Sequence, residues 1–370
     1  MPSFPEIKQV LRSQDFEELL EIVPQFNREE HDGFDQVLQQ MMYLAATEQY
    51  GDELPIGLVY LDAVRDLSTL FERDMAEAIP LMEKALGFFC TLNLEEFDKE
   101  LVGIKPEHFG ESVFVGDLEA YVRDGERGKA IEEAAKLLRM MDNQFYLVEI
   151  MAEIATSTEK DGGWPVILSD TVLKSVDFVE SSQFRPIVYL LTDYLSRLEI
   201  GWVNPADDGL IAQFIFDGYY EAVLFSDTCD TDLVYLTHAQ QVWEGVRMKE
   251  REIHTNLSYW LGNRFGESKQ TTTIDYAPRS ADIPRILDSV RKGDRETSIS
   301  CVLGYLQEDG GVGTLFKSLT DFLLDLHHPA NDKEIIRWNA IRTAIAYTSP
   351  PQQYQAFIKA VEFLYEIKER

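Results

Sequence analysis

The stretch Val122-Arg123-Asp124-Gly125-Glu126-Arg127 leads into a run in which Ile131, Ala134, Ala135 and Leu138 fall at i, i+3, i+4 and i+7. That spacing places four apolar side chains on one face of an amphipathic helix. The stretch then recurs: Val290-Arg291-Lys292-Gly293-Asp294-Arg295 leads into Ile299, Val302, Leu303 and Leu306, 168 residues further on. At the same offset Leu147, Met151, Ile154 and Ala155 meet Leu315, Leu319, Phe322 and Leu323. Ile167, Leu168, Leu173 and Val176 likewise meet Ile335, Ile336, Ile341 and Ala344.

Earlier in each repeat the tetrapeptide Leu-Val-Tyr-Leu occurs, at Leu58 to Leu61 and at Leu233 to Leu236, now 175 residues apart. Loops tolerate such a change of length. Agreement in order among several matches points to a tandem duplication with its junction near Gly201 to Gly209. The expected architecture is all-α, with about sixteen helices paired as antiparallel hairpins in a solenoid-like or bundled array. An N-terminal helical extension, 1–36, with a helix near Phe16 to Val23, precedes a first half, 37–204, and a second, 205–370.

Helix–loop–helix units are read at Met41 to Leu70, Glu149 to Val179 and Phe316 to Tyr347. The loops Gly51-Asp52-Glu53-Leu54-Pro55, Lys160-Asp161-Gly162-Gly163-Trp164-Pro165 and His328-Pro329-Ala330-Asn331-Asp332 carry stop, turn and start residues. Two longer segments, Asn93 to Phe114 and Gly262 to Pro278, read as connections within a half. No series of alternating apolar and polar residues bounded by hairpin turns is present, so no sheet is expected.

Sixty-five acidic against 34 basic residues give a formal charge of -31. Such a surface repels phosphate backbones and anionic lipid, so neither nucleic acid nor membrane is an expected partner. Met1 to Val10 lacks a basic region followed by an apolar run, and no apolar stretch approaches the roughly 18 residues of a membrane span. Cys90, Cys229 and Cys301 are scattered without ligand spacing, which fits buried thiols in a reducing, cytoplasmic setting.

Motifs for chemistry are few. The six histidines form no HExxH pair, the glycine runs Gly162-Gly163 and Gly310-Gly311-Val312-Gly313 match neither a Walker A loop nor a GxGxxG turn, and no GxSxG elbow occurs. No metal site is therefore expected and no cofactor is named. Glu149 and Glu153, at i and i+4, match Lys317 and Asp321 in the repeat and read as a salt-bridged surface.

His238 stands out because it follows the second Leu-Val-Tyr-Leu on a helix beside Leu236, Val242 and Trp243. An imidazole there is either a core group satisfied by a neighbour or a catalytic candidate at a pocket. Tyr60, Tyr235 and Trp243 are the aromatic candidates for lining such a pocket and contacting a small molecule, with core packing as the alternative.

The Leu236-Thr237-His238-Ala239 stretch, the repeated hairpins and the helix bearing Trp338-Asn339-Ala340-Ile341-Arg342 resemble bacterial helical proteins of the questin oxidase-like type. Members of that type carry additional helix histidines where this chain has Tyr60 or Trp164. The resemblance implies an all-helical fold with an internal cavity and oxidoreductase activity on an aromatic compound, and it carries over only His238. From the residues themselves the expected role is a binding or scaffolding module for a protein partner with a basic surface. The alternative is a small-molecule enzyme or carrier with a cavity between the halves.

Overall fold

The computed structural model describes residues 4–22, 33–48, 54–72, 75–94, 114–141, 143–202, 216–226, 229–266, 274–308, 310–326 and 332–369. Among them are 18 α-helices and no strand. In chain order these are α1 (Phe4–Ser13), α2 (Phe16–Ile22), α3 (Gly33–Glu48), α4 (Ile56–Ser68), α5 (Met75–Phe89) and α6 (Val115–Arg123). There follow α7 (Arg127–Met140), α8 (Gln144–Thr156), α9 (Trp164–Ser175), α10 (Ser181–Arg197), α11 (Phe216–Leu224) and α12 (Cys229–Gly245). The last six are α13 (Glu250–Phe265), α14 (Ile283–Lys292), α15 (Arg295–Gln307), α16 (Val312–Leu324), α17 (Asp332–Tyr347) and α18 (Gln352–Lys368). None of the described helices is long and apolar enough to cross a membrane.

The chain is thus all-α, as its periodicity requires. The helix expected near Phe16 is α2, and α1 before it was not anticipated. α3 begins at Gly33, inside the segment assigned above to the extension. Beyond Trp202 the junction Gly201 to Gly209 lies outside the described residues. So do most of Asn93 to Phe114, the centre of Gly262 to Pro278, and the histidines His31, His108, His327 and His328.

One continuous cluster of buried apolar side chains runs through the helices. α1 and α2 join it through Ile7, Leu11 and Leu19, and Gln14 between them donates to the carbonyls of Phe89 and Leu92 at 3.1 and 2.8 Å. Among α3 to α10, α3 packs on α4, α5 and α10, α6 packs on α7, and α7 on α10. Among α11 to α18 the same order of partners occurs: α11 packs on α12, α13 and α18, α14 on α15, and α15 on α18. Four inner helices close a ring, α4 against α17, α17 against α12, α12 against α9 and α9 against α4.

Two backbone devices hold this ring to its surroundings. The Lys160-to-Pro165 loop turns through left-handed residues, Asp161, Gly162 and Gly163 at φ 52, 65 and 94°. A Cβ on Gly163 would lie 2.3 Å from the Tyr235 ring, so only glycine lets α9 start flush against α12. The second device is Glu149 of α8, fully buried rather than part of a surface pair. Its carboxylate accepts the backbone N–H groups of Arg247, Met248 and Lys249 at 2.5, 2.7 and 3.0 Å, fixing the turn that enters α13. A carboxylate beside a helix N-terminus meets both unsatisfied donors and the positive end of the dipole. Glu153, one turn on, pairs with Lys249 at 2.8 Å.

Gly163→Ala should lower unfolding stability by about 1–3 kcal/mol through its strained φ, before the ring contact is counted. Glu149→Gln should lower it by about 1.5–3 kcal/mol, because the uncharged amide accepts fewer of the three donors. Urea melts at constant m-value check both.

Candidate functional site

The inner ring is where sequence and polarity conflict. Asp62, Arg65 and Asp66 sit in the apolar run of α4, and Asp170 and Lys174 in that of α9. Their flanking residues, Leu58 to Leu61 and Val64 on α4 and Val166 to Leu168 and Val172 on α9, are buried on all sides of each helix. The charged side chains therefore face inward, and they are satisfied by one another.

Lys174 is the centre. Its ammonium lies 2.8 Å from Asp170 Oδ2, 3.2 Å from Asp66 Oδ2, 3.4 Å from Asp62 Oδ2, and donates to Gln241 Oε1 at 2.8 Å. Arg65 sits 2.6 Å from Asp62 Oδ1 on its own helix and donates to the Lys174 carbonyl at 3.1 Å, joining α4 to α9. From α17, Asn339 donates to Asp66 Oδ2 at 3.3 Å, and Arg342 to Thr69 Oγ1 at 2.8 Å. From α12, His238 Nδ1 lies 2.7 Å from Asp170 Oδ2. The carboxylate accepts, so Nδ1 carries a proton, and in a neutral imidazole the lone pair is then on Nε2.

The two acids of α4 titrate in opposite senses. Burial pushes the Asp62 carboxyl up, against the pull of Arg65 and Lys174. Burial acts likewise on Asp66, but there Lys174, Arg65 and Arg342 prevail and hold the carboxyl well below the usual range. Burial opposes the charge of Lys174, yet the surrounding aspartates raise its pKa above the ordinary lysine value.

The sequence candidates occupy separate surroundings. His238 belongs to this cluster and is 6% exposed. Tyr60 is fully buried, stacks on Phe88 at 3.9 Å and bonds the Lys84 carbonyl at 3.3 Å. Tyr235 is clasped between Gly163 and the guanidinium of Arg264, 4.7 Å from its ring centre, and its buried hydroxyl has no hydrogen-bond partner among the described residues. Trp243 stacks flat on His254 at 3.5 Å, and His254 Nε2 donates to the Trp243 carbonyl at 2.9 Å. Trp338 is wholly core, donating to Thr320 Oγ1 at 3.0 Å and stacking on Phe316.

At the repeat offsets, Asp62, Arg65 and Asp66 correspond to Thr237, Gln240 and Gln241, and Asp170 and Lys174 to Trp338 and Arg342. The ionic set thus comes mainly from the first 204 residues, while neutral polar groups come mainly from the rest. Among the described residues no group of three or more His, Cys, Asp or Glu side chains is arranged to hold a metal ion. No protein-family model, no curated protein and no solved structure matches the chain.

Lys174→Met keeps the volume but leaves the buried Asp62 and Asp170 and the half-buried Asp66 short of a cation, and should destabilise by about 3–5 kcal/mol. Asp66 has a folded pKa below its unfolded one, so its contribution is present above about pH 4 and lost as pH falls further. Denaturant melts between pH 7 and pH 3 should show an acid limb that Asp66→Asn flattens.

Proposed function

We propose that the chain is a helical binding or scaffolding protein of the cytoplasm, built from two related halves, that docks a protein partner with a basic surface. The observation that carries this reading is that the groups best suited to chemistry are engaged with one another. Lys174 serves three carboxylates and Gln241, and Asp170 serves both Lys174 and His238. Side chains whose charges and protons are committed inside a core are poorly placed to attack or protonate a substrate. Packed helix pairs offer extended faces that need no reactive set. The recurring order of helix partners supports the two halves, and the charge of -31 supports a basic partner.

A second reading, a small-molecule enzyme or carrier, is favoured by the bond between His238 and Asp170. It leaves Nε2 as the basic nitrogen, an orientation that acid–base catalysis uses. On the resemblance to the questin oxidase-like type, that chemistry would be oxidation of an aromatic compound, with Tyr60, Tyr235 and Trp243 as the ligand-contacting candidates.

Immobilised chain should retain a basic partner from native lysate at low salt and release it as salt rises. Recovery of no partner across the salt series speaks against the binding reading. His238→Ala should leave that capture unchanged. Loss of turnover or ligand binding in this variant, with helicity intact by circular dichroism, favours the enzyme or carrier instead.

A further inference from the structure

Trp202 is 63% exposed, an indole held in water. The backbone that carries it is pinned. Gly201, at φ 70°, donates its N–H to the Arg123 carbonyl at 3.1 Å and accepts from Arg123 Nη1 at 3.0 Å. Arg123 is itself buried, donates to Ser157 Oγ at 3.0 Å and pairs with Glu119 at 2.9 Å, which neutralises its charge. Its Cζ lies 5.0 Å from the centre of the Trp202 ring. One face of the indole thus rests on a fixed guanidinium, and the other is open to solvent.

The residues that follow α6 and α10 meet at this corner. A Cβ on Gly125 would lie 3.0 Å from Glu199 Cγ, and Asp124 and Glu199 both stand within two residues of the bonds between Arg123 and Gly201. The cations here are already committed. Lys160 donates to the Leu198 and Glu199 carbonyls, Lys129 pairs with Glu126, and Arg127 with Asp193. Asp124 and Glu199 are exposed, and their carboxylates make no ion pair or hydrogen bond among the described residues.

An open indole face beside two uncommitted carboxylates suits a cation from outside, and the shape of the site selects among cations. A guanidinium is planar, stacks on an aromatic face and keeps its N–H groups in the plane of the stack, free to reach carboxylates at its edge. An ammonium is compact and more strongly hydrated, and gains less from the ring. Tryptophan is the best aromatic partner for a cation, and a side chain on a pinned backbone gives up little freedom on binding. We infer that Trp202, with Asp124 and Glu199, is the anchor that takes an arginine side chain of the basic partner. The anchor rests on the partner-docking reading and gives it a place on the chain.

Calorimetric titration of the full chain at pH 7 and low salt tests it, with hexa-arginine amide as probe and hexa-lysine amide as comparison. Hexa-arginine should bind saturably and more tightly than hexa-lysine. Trp202→Ala should weaken hexa-arginine about fivefold and abolish the preference over hexa-lysine, with unchanged circular dichroism, while Trp202→Phe keeps part of it. Asp124→Asn combined with Glu199→Gln, which leaves the indole and Arg123 in place, should weaken both peptides. Unchanged hexa-arginine affinity in Trp202→Ala or in the double variant, or equal affinity of the wild type for the two peptides, overturns the anchor. The docking reading survives those results, since basic chains are then held elsewhere on the acidic surface. Absence of saturable binding of either peptide by the wild type overturns the anchor and speaks against the docking reading as well.

Discussion

The ammonium of Lys174 sits where four helices meet, and everything around it is arranged to keep it charged. Removing an ion from water costs several kcal/mol, and only close opposite charge with good hydrogen bonding offsets it. Here that role falls to Asp62 and Asp66 from α4, Asp170 from its own helix and Gln241 from α12. Such an arrangement tolerates little sliding. Apolar faces repack after a shift of one residue, whereas moving α4 along α9 by a turn would strand the buried Asp62, Asp170 and Arg65 away from their partners. The ring therefore owes its register to charge and its cohesion to the aliphatic and aromatic cluster that surrounds it.

Helices were legible because periodicity is a local property. Ile131, Ala134, Ala135 and Leu138 mark one face of α7 wherever that helix goes, and the turn residues of Lys160 to Pro165 mark the start of α9. The ionic cluster was not legible, because a charged residue ordinarily signals solvent and the partners lie far apart in sequence. Arg65 and Lys174 meet through a backbone carbonyl over a separation of 109 residues. One local signal existed: Asp62, Arg65 and Asp66 interrupt a helix that is apolar on every side, and such a helix has no wet face to offer them. Glu149 was misread for a related reason. Its counterpart Lys317 does lie at the surface, so the repeat pointed to an exposed position, while the three N–H groups that hold Glu149 belong to a turn almost a hundred residues away.

Among the described residues the interior takes up charge of both signs, with Asp62, Glu133, Glu149, Asp170 and Asp193 buried. Of only 34 basic residues, Arg65, Arg123 and Lys136 are buried, and Lys174 is largely enclosed by its aspartates. Asp193, also buried, is answered by Arg127 and Arg197. Internal carboxylates thus draw cationic side chains inward, while Glu149 is balanced by backbone dipoles alone. The outer shell therefore carries nearly all of the net charge of -31, which gives the chain a long-range attraction for cations and steers basic surfaces toward it.

Glu149 also places an order on assembly. The turn from Arg247 to Lys249 directs three N–H groups at a carboxylate that belongs to α8, so the corner that enters α13 is held from outside its own hairpin. During synthesis α8 leaves the ribosome about a hundred residues before that turn does, and chains emerge at about 5–20 residues per second. The acceptor is accordingly in place several seconds before its donors arrive. The earlier part of the chain acts as a template on which the later part sets its corner, and a chain begun beyond α8 would reach α13 with the amides of Arg247, Met248 and Lys249 without that carboxylate.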